Sequence, residues 1–283
     1  MMRDNAASYR LTRQTSRGIL YLTLALGSVT MILPFFWMFS TSLKTSPEAL
    51  RFPPTWIPKV FDFSNYVDAW RAVPFPLYFL NTIFVAVSVM ILVLITSSLA
   101  AYAFARMQFV GRETLFLLFL SMMMVPMPVY LVPSYVILSK LAWVDTYYAL
   151  IIPWAAHVFS IFWLRQHFRT VPNDLYDAAT IDGCSRFGFL WRVMIPLSKS
   201  VLVAVALFSL IGSWNSFMWP LVVTNSVSKR IIQVGLAYFS TEQGTQYTLM
   251  MAAATFCIAP LLAIFFVAQK QIISSFARSG LKE

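Results

Sequence analysis

Six stretches of this 283-residue chain run for nineteen or more residues without Asp, Glu, Lys or Arg: 18–43, 72–105, 114–139, 146–164, 200–228 and 243–269. No other feature constrains the fold as much. One charged side chain at the centre of a membrane-spanning helix costs ~2.5 to 3.5 kcal/mol, and a hydrocarbon core needs about 20 helical residues to cross. Each window is therefore predicted to hold one spanning helix, and none is long enough for two with a turn. Composition agrees: 11% of residues are charged, where a soluble domain has roughly 25%. The 16% aromatic content excludes intrinsic disorder.

Arg10, Arg13 and Arg17 precede the first window in the manner of a secretory signal. A cleavable apolar region is only ~7 to 15 residues long, so 18–43 reads as an uncleaved span. With six spans both termini share a side. Placing them inside puts fourteen of the twenty-one basic residues in the inner segments, as the positive-inside rule favours. The net charge of +10 is then a matter of orientation, and no nucleic-acid partner is implied. Cys184 falls in an inner loop and Cys257 in the sixth window, so no disulfide is expected.

The expected organisation is an N-terminal tail 1–17, a first span 18–43, an outer loop 44–76, a core 77–270 and a tail 271–283, all α-helical where it is regular. The outer loop holds six of the fifteen prolines and the aromatics Trp56, Phe61, Phe63, Tyr66 and Trp70. It reads as an irregular lid with one short helix near Asn65 to Arg71, either a connector or a docking surface. In the third window Pro126, Pro128 and Pro133 free backbone carbonyls, which at membrane depth are tolerated where they are buried or line a cavity. These three are pathway or gate candidates on a kinked helix.

The inner loop 165–199 is the most informative segment. Asn173 is placed to cap a helix with Asp174 and Asp177 in its first turn. Leu175, Ala178 and Ala179 fall at i, i+3 and i+4 on one narrow apolar face, and Gly183 suits the left-handed residue that closes a helix. A second helix is expected over about Ser185 to Met194, ended by Pro196. Two short helices with small residues form a knob suited to another protein's groove.

The run Asp177-Ala178-Ala179-Thr180-Ile181-Asp182-Gly183-Cys184, with Pro196 downstream, resembles the "EAA" coupling loop of ATP-binding-cassette importer permeases. Asp177 stands for the family's Glu, Cys184 for Ala, and Ser200 for a second frequent Pro. Further matches are Phe63-Ser64-Asn65-Tyr66, Arg165-Gln166-His167-Phe168, Trp214-Asn215 with Trp219-Pro220-Leu221, and the tail Ser279-Gly280-Leu281-Lys282. They point to the carbohydrate-uptake branch, similar to the maltose G-type and glycerol-3-phosphate E-type permeases. The resemblance implies a type I importer permease fold with cytoplasmic termini in a bacterial or archaeal inner membrane. It implies a second, homologous permease subunit, two ATPase subunits that carry ATP and Mg²⁺, and an extracytoplasmic solute-binding protein. Asp177, Ala178, Ala179, Asp182, Gly183, Cys184 and Pro196 are its coupling residues. No phosphate-loop pattern occurs in this chain, so it needs no cofactor of its own.

No catalytic or metal-ligand constellation is visible, so no enzyme activity and no metal site are expected. His157 and His167 read as structural histidines. The windows hold no ionisable residue other than neutral His157, which disfavours a standalone ion-coupled carrier and suits an uncharged solute. Candidate solute contacts are Asn81, Trp214, Asn215 and Trp219, with helix–helix hydrogen bonding or an interfacial belt as the alternative. Within the same architecture, glycerol-3-phosphate, glycerophosphodiesters or polyols are the alternative solutes.

Overall fold

The computed structural model describes residues 2–241 and 244–280. Among the described residues the architecture is all-α apart from one two-residue antiparallel ladder, Ser240–Thr241 against Gly244–Thr245. The chain divides into two compact units, Met1–Val73 with Phe239–Phe256, and Pro74–Tyr238 with Cys257–Glu283.

The first unit opens with α1 (Met2–Ser42), whose residues are exposed throughout from Arg17 to Phe36. This surface is apolar, as a lipid-facing or partner-facing span requires. Two short helices follow, α2 (Ser46–Ala49) and α3 (Ser64–Ala72). The proline- and aromatic-rich segment between them folds back on the end of α1 around buried polar groups. Asn65 Nδ2 donates to the carbonyls of Ser42 (3.0 Å) and Lys44 (2.8 Å). Lys44 is only 1% exposed; its Nζ donates to Thr55 O at 2.5 Å and lies 4.1 Å from the centre of the Trp37 ring. Burial pulls the Lys44 ammonium below the ordinary lysine range, and Glu48 partly restores it. Tyr66 and Trp70 meet Phe256 edge to face, at 5.6 and 5.1 Å.

The second unit is organised around α4 (Phe75–Arg106), the longest helix within it. Then come α5 (Arg112–Met122), α6 (Met127–Lys140), α7 (Tyr147–Ile151), a 3₁₀ turn at Ile152–Trp154, and α8 (Val158–Thr170). After α9 (Asn173–Ile181), the segment α10 (Arg186–Phe189), a π turn (Leu190–Met194) and α11 (Ile195–Leu197) is helical throughout. The chain continues through α12 (Lys199–Trp214), α13 (Met218–Val223) and α14 (Ile232–Leu236). It ends with α15 (Tyr247–Gly280), whose first turns belong to the first unit.

Val85, Val89 and Val93 recur every four residues on α4. They pack in one core with Leu164 and Phe168 of α8, Val201 and Val205 of α12, and Trp219 of α13. Ser97, Ser98 and Ala101 continue that buried face with small side chains, which let helix backbones approach where lipid provides no hydrophobic drive for association.

Four helical segments are long and apolar enough to cross a membrane, and two bent pairs bring the number to six if each pair is one span. The first bent pair and a break in the fifth window correct the expectation of one helix per window. In the third window α5 and α6 meet at 99°. Pro126 is extended (φ −69°, ψ 144°) and Pro128 lies in the first turn of α6, where a missing N–H costs nothing. These prolines start a new helix instead of kinking a single one. In the fifth window α12 stops at Trp214, where the amides of Asn215 and Ser216 close the last turn on the carbonyls of Ile211 and Ser213. The segment with Trp219 and Pro220 is a separate helix. At the chain ends α1 is already helical from Met2, within the segment read as a tail, and α15 runs on to Gly280. Leu281 and Lys282 lie outside the described residues.

Candidate functional site

Helix α9 and the turn after it form the knob expected from the loop 165–199. The C-terminus of α9 is closed by a Schellman motif: the Cys184 amide donates to Ala179 O (2.8 Å) and the Gly183 amide to Thr180 O (3.0 Å). Gly183 has φ +78°, a left-handed conformation that penalises any Cβ. Ser185 then caps the next helix, its Oγ accepting from the Gly188 amide at 3.1 Å. Gly188 permits this closeness, since a Cβ there would lie 3.0 Å from Cys184 Sγ and 3.1 Å from Ser185 Oγ.

Three details differ from the sequence reading. Pro172 occupies the N-cap position and Asn173 is the first helical residue, with no capping bond. The Asn173 carboxamide oxygen accepts instead from Arg106 Nη1; a guanidinium is a stronger donor than a backbone amide. The inward face of α9 is made by Tyr176 and Ala179, with Tyr176 edge-on to Phe189 at 5.1 Å. Leu175 and Ala178 point outward and are exposed. Pro196 does not end its helix. The π turn has already shifted bonding there, with the Ile195 amide donating to Leu190 O, and the break comes after Leu197 as a bend of 84°.

The knob therefore presents Leu175, Ile181, Phe187 and Trp191 outward, with Ile181 86% exposed. Asp177, Asp182 and Gly183 are also exposed, and Cys184 is half-buried against the core.

Two arginines join the spanning helices beside this knob, one of them also reaching its first residue, and the sequence reading gave neither of them a role. Arg106, at the end of α4, donates through Nη2 to Phe168 O (2.8 Å) and Val171 O, as well as to Asn173. Arg165, on α8 and 3% exposed, donates through Nε to Phe104 O (3.2 Å) and through Nη2 to both Glu113 carboxylate oxygens (2.8 and 2.7 Å). Its guanidinium also stacks 3.8 Å from the Phe116 ring. The sequence signal was a positive charge at the edge of a window and, for Arg165, its place in the matching run Arg165-Gln166-His167-Phe168.

A cavity of about 300 Å³ lies between α4, α12 and α13. Val85, Val89 and Val93 form an apolar wall, while Ser209, Gly212, Ser213 and Ser216 present a hydroxyl-bearing one. Trp154, Trp219 and His157 complete it; the His157 Nδ1 is 2.9 Å from Ser160 Oγ. No charged side chain lines it.

Of the proposed solute contacts, Trp219 alone lines this cavity, and its Nε1 donates to Ala149 O at 2.8 Å. Trp214 is buried with its Nε1 on Cys257 O at 3.1 Å. Asn81 is engaged at both ends of its amide, donating to Ser228 O and Arg230 O and accepting from Tyr147 Oη. Asn215 is exposed at the end of α12. The three prolines of the third window are exposed as well and are not part of the cavity wall. The serines escaped notice because a hydroxyl in an apolar window carries no charge; the i, i+4, i+7 spacing of Ser209, Ser213 and Ser216 was the available signal.

The sequence profile of the family described as "Binding-protein-dependent transport system inner membrane component" matches residues 6–278. The chain is 33% identical over 259 residues to the arabinooligosaccharides transport system permease protein AraQ of Bacillus subtilis (strain 168), covering 90% of this chain and 92% of that one. It is 31% identical over 269 residues to the diacetylchitobiose uptake system permease protein NgcG of Streptomyces coelicolor, covering 94% and 89%. Among solved structures, a chain of a bacterial ABC transporter involved in the import of the acidic polysaccharide alginate superimposes with a TM-score of 0.78. That chain is 23% identical, over 91% of this chain and 96% of its own; at that identity the likeness concerns the fold.

Proposed function

From the premise that this chain belongs to the family of binding-protein-dependent transport system inner membrane components, we propose that it is the permease subunit of an ATP-driven importer of oligosaccharides or sugar derivatives. The observation that carries the reading is the knob of α9 and α10, an exposed apolar surface whose first residue, Asn173, is held by Arg106 at the end of the spanning helix α4. The chain is a transport subunit. ATP and Mg²⁺ are held by a separate ATPase, whose groove takes the knob. A second permease subunit completes the pathway, an extracytoplasmic binding protein delivers the solute, and the complex sits in a bacterial or archaeal inner membrane with both termini of this chain in the cytoplasm.

Closure of the ATPase pushes α9, and the spanning helices reorient so that the pathway opens alternately to each side. Sugar as the solute class rests on relatives named for arabinooligosaccharide and diacetylchitobiose transport. The cavity suits such a solute. Hydroxyls on one wall pair with hydroxyls of a sugar, the half-buried Trp154 adds an aromatic edge to the lining, and the absence of lining charge suits a neutral molecule.

The test uses Ile181→Asp in the affinity-tagged, full-length chain. Ile181 is almost fully exposed, so the variant should insert and melt like wild type yet lose the co-purifying ATPase and ATP-driven sugar uptake. Retention of both would overturn the assignment of the knob.

A further inference from the structure

We propose that Arg106 and Arg165 form a crossed clasp that locks α4 to α8, and that Arg106 extends it to the first residue of α9, so that motion of the knob enters the membrane through those two helices moving together. The inference deepens the permease reading and rests on it for its mechanical meaning.

The geometry is reciprocal. Helix α4 ends at Arg106 and helix α8 at Thr170, so Phe104 and Phe168 are each third from a helix end and belong to the last four residues, whose carbonyls lack helical partners. Arg165 of α8 donates to Phe104 O, and Arg106 of α4 donates to Phe168 O. Each arginine satisfies the same orphan position on the other's helix, and each cation sits at the negative end of the opposing dipole. Two crossed bonds resist sliding in either direction, whereas one would act as a pivot. The forked guanidinium lets Arg106 also hold Val171 O and Asn173 Oδ1, the two ends of the link into α9.

Beyond the far end of α9 the chain is held differently, by Phe189, Leu190 and Met194 buried in the core with Leu164 and Phe168 of α8. It passes the left-handed turn at Gly183, the π turn at Leu190–Met194, and then the 84° bend at Ser198 before α12 begins. Ser198 is fully buried and its hydroxyl has no hydrogen-bond partner. Shifts of bonding pattern and sharp breaks are where helical segments yield. The tie at the start of α9 is thus polar and directional, whereas the chain after it is held by packing and carries two breaks. Arg106, Arg165 and Asn173 act as positioning residues.

Asn173→Ala removes one arm of the clasp at an exposed position where folding is not at stake, and Arg106→Lys keeps the charge while losing the fork. In the complete reconstituted transporter, both should retain the ATPase subunits and binding-protein-stimulated hydrolysis, while solute taken up per ATP falls roughly fivefold. Arg106→Gln should fall further. Unchanged uptake per ATP in all three variants would overturn the clasp; so would loss of the ATPase from Asn173→Ala, since that residue would then belong to the docking surface. Amide hydrogen exchange on the permease alone reads the clasp without reference to transport. Asn173→Ala should speed exchange across residues 174–181, and unaltered exchange would overturn the proposal. Absence of ATP-driven uptake by the wild-type complex would instead count against the permease reading, with the exchange experiment still deciding the clasp.

Discussion

Arg165 and Glu113 are joined by a forked bond in which one guanidinium nitrogen lies 2.8 and 2.7 Å from the two carboxylate oxygens, tying α8 to the first turn of α5. The partners are unequal: the Arg165 side chain is 4% exposed and that of Glu113 57%. The energetic weight therefore lies with the arginine, which also holds Phe104 O and packs on Phe116.

Arg165→Ala should destabilise the purified chain by on the order of 3 kcal/mol, because it removes several charge-assisted bonds and leaves a hole beside Phe116. Glu113→Gln should have a clearly smaller effect, since solvent replaces what it loses. Thermal unfolding in detergent distinguishes the two; equal shifts would contradict the asymmetry.

Gly183→Ala isolates a conformational cost. A Cβ at Gly183 meets nothing within 4 Å, so only the φ of +78° opposes it, at ~1 to 2 kcal/mol. The loss should appear as faster amide exchange at the end of α9, and Gly183→Asn should be milder because Asn tolerates that region.

Gly235 poses the opposite case, a steric limit at ordinary φ. A Cβ there would lie 2.7 Å from Cδ2 of the buried Tyr78 ring. Gly235→Ala should cost ~1 to 3 kcal/mol by overpacking α14 against α4. Tyr78→Leu in the same chain should recover part of that loss in a double-mutant cycle; strictly additive losses would show that the two do not press on each other.

Asp145 makes the loop before α7 sensitive to acid. Burial raises its pKa, but bonds from the amides of Ser226 and Asn225 and from the Ser226 hydroxyl, with Lys229 nearby, outweigh that and leave the carboxyl below its ordinary value. A depressed folded value means stabilisation that is complete above the unfolded pKa of ~3.9 and is lost as pH falls through the lower folded value. Asp145→Asn should flatten the acid limb of thermal stability below about pH 4, and an unchanged limb would rule out this contribution.

Sequence alone determined what is local. Charges are too costly in lipid to be scattered, so their gaps marked out the spanning segments. Gly183 followed from backbone requirements within a few residues, and the alanine-bearing run at Asp177 to Cys184 identified the knob and the family. What the tertiary structure decided depends on groups far apart in the chain. Trp214, Trp219 and Asn81 look alike as polar side chains in apolar windows; whether each faces a cavity or spends its N–H on a carbonyl 43, 70 or 147 residues away is set by helix rotation and depth. The same holds for Arg106 and Arg165, which as sequence are two charges at the ends of apolar windows. Only the register of α4 against α8 brings each guanidinium to the other's free carbonyl. Helix formation and membrane insertion are summed over neighbouring residues and can be read along the chain; hydrogen-bond pairing between helices depends on distances that exist only once the chain has packed.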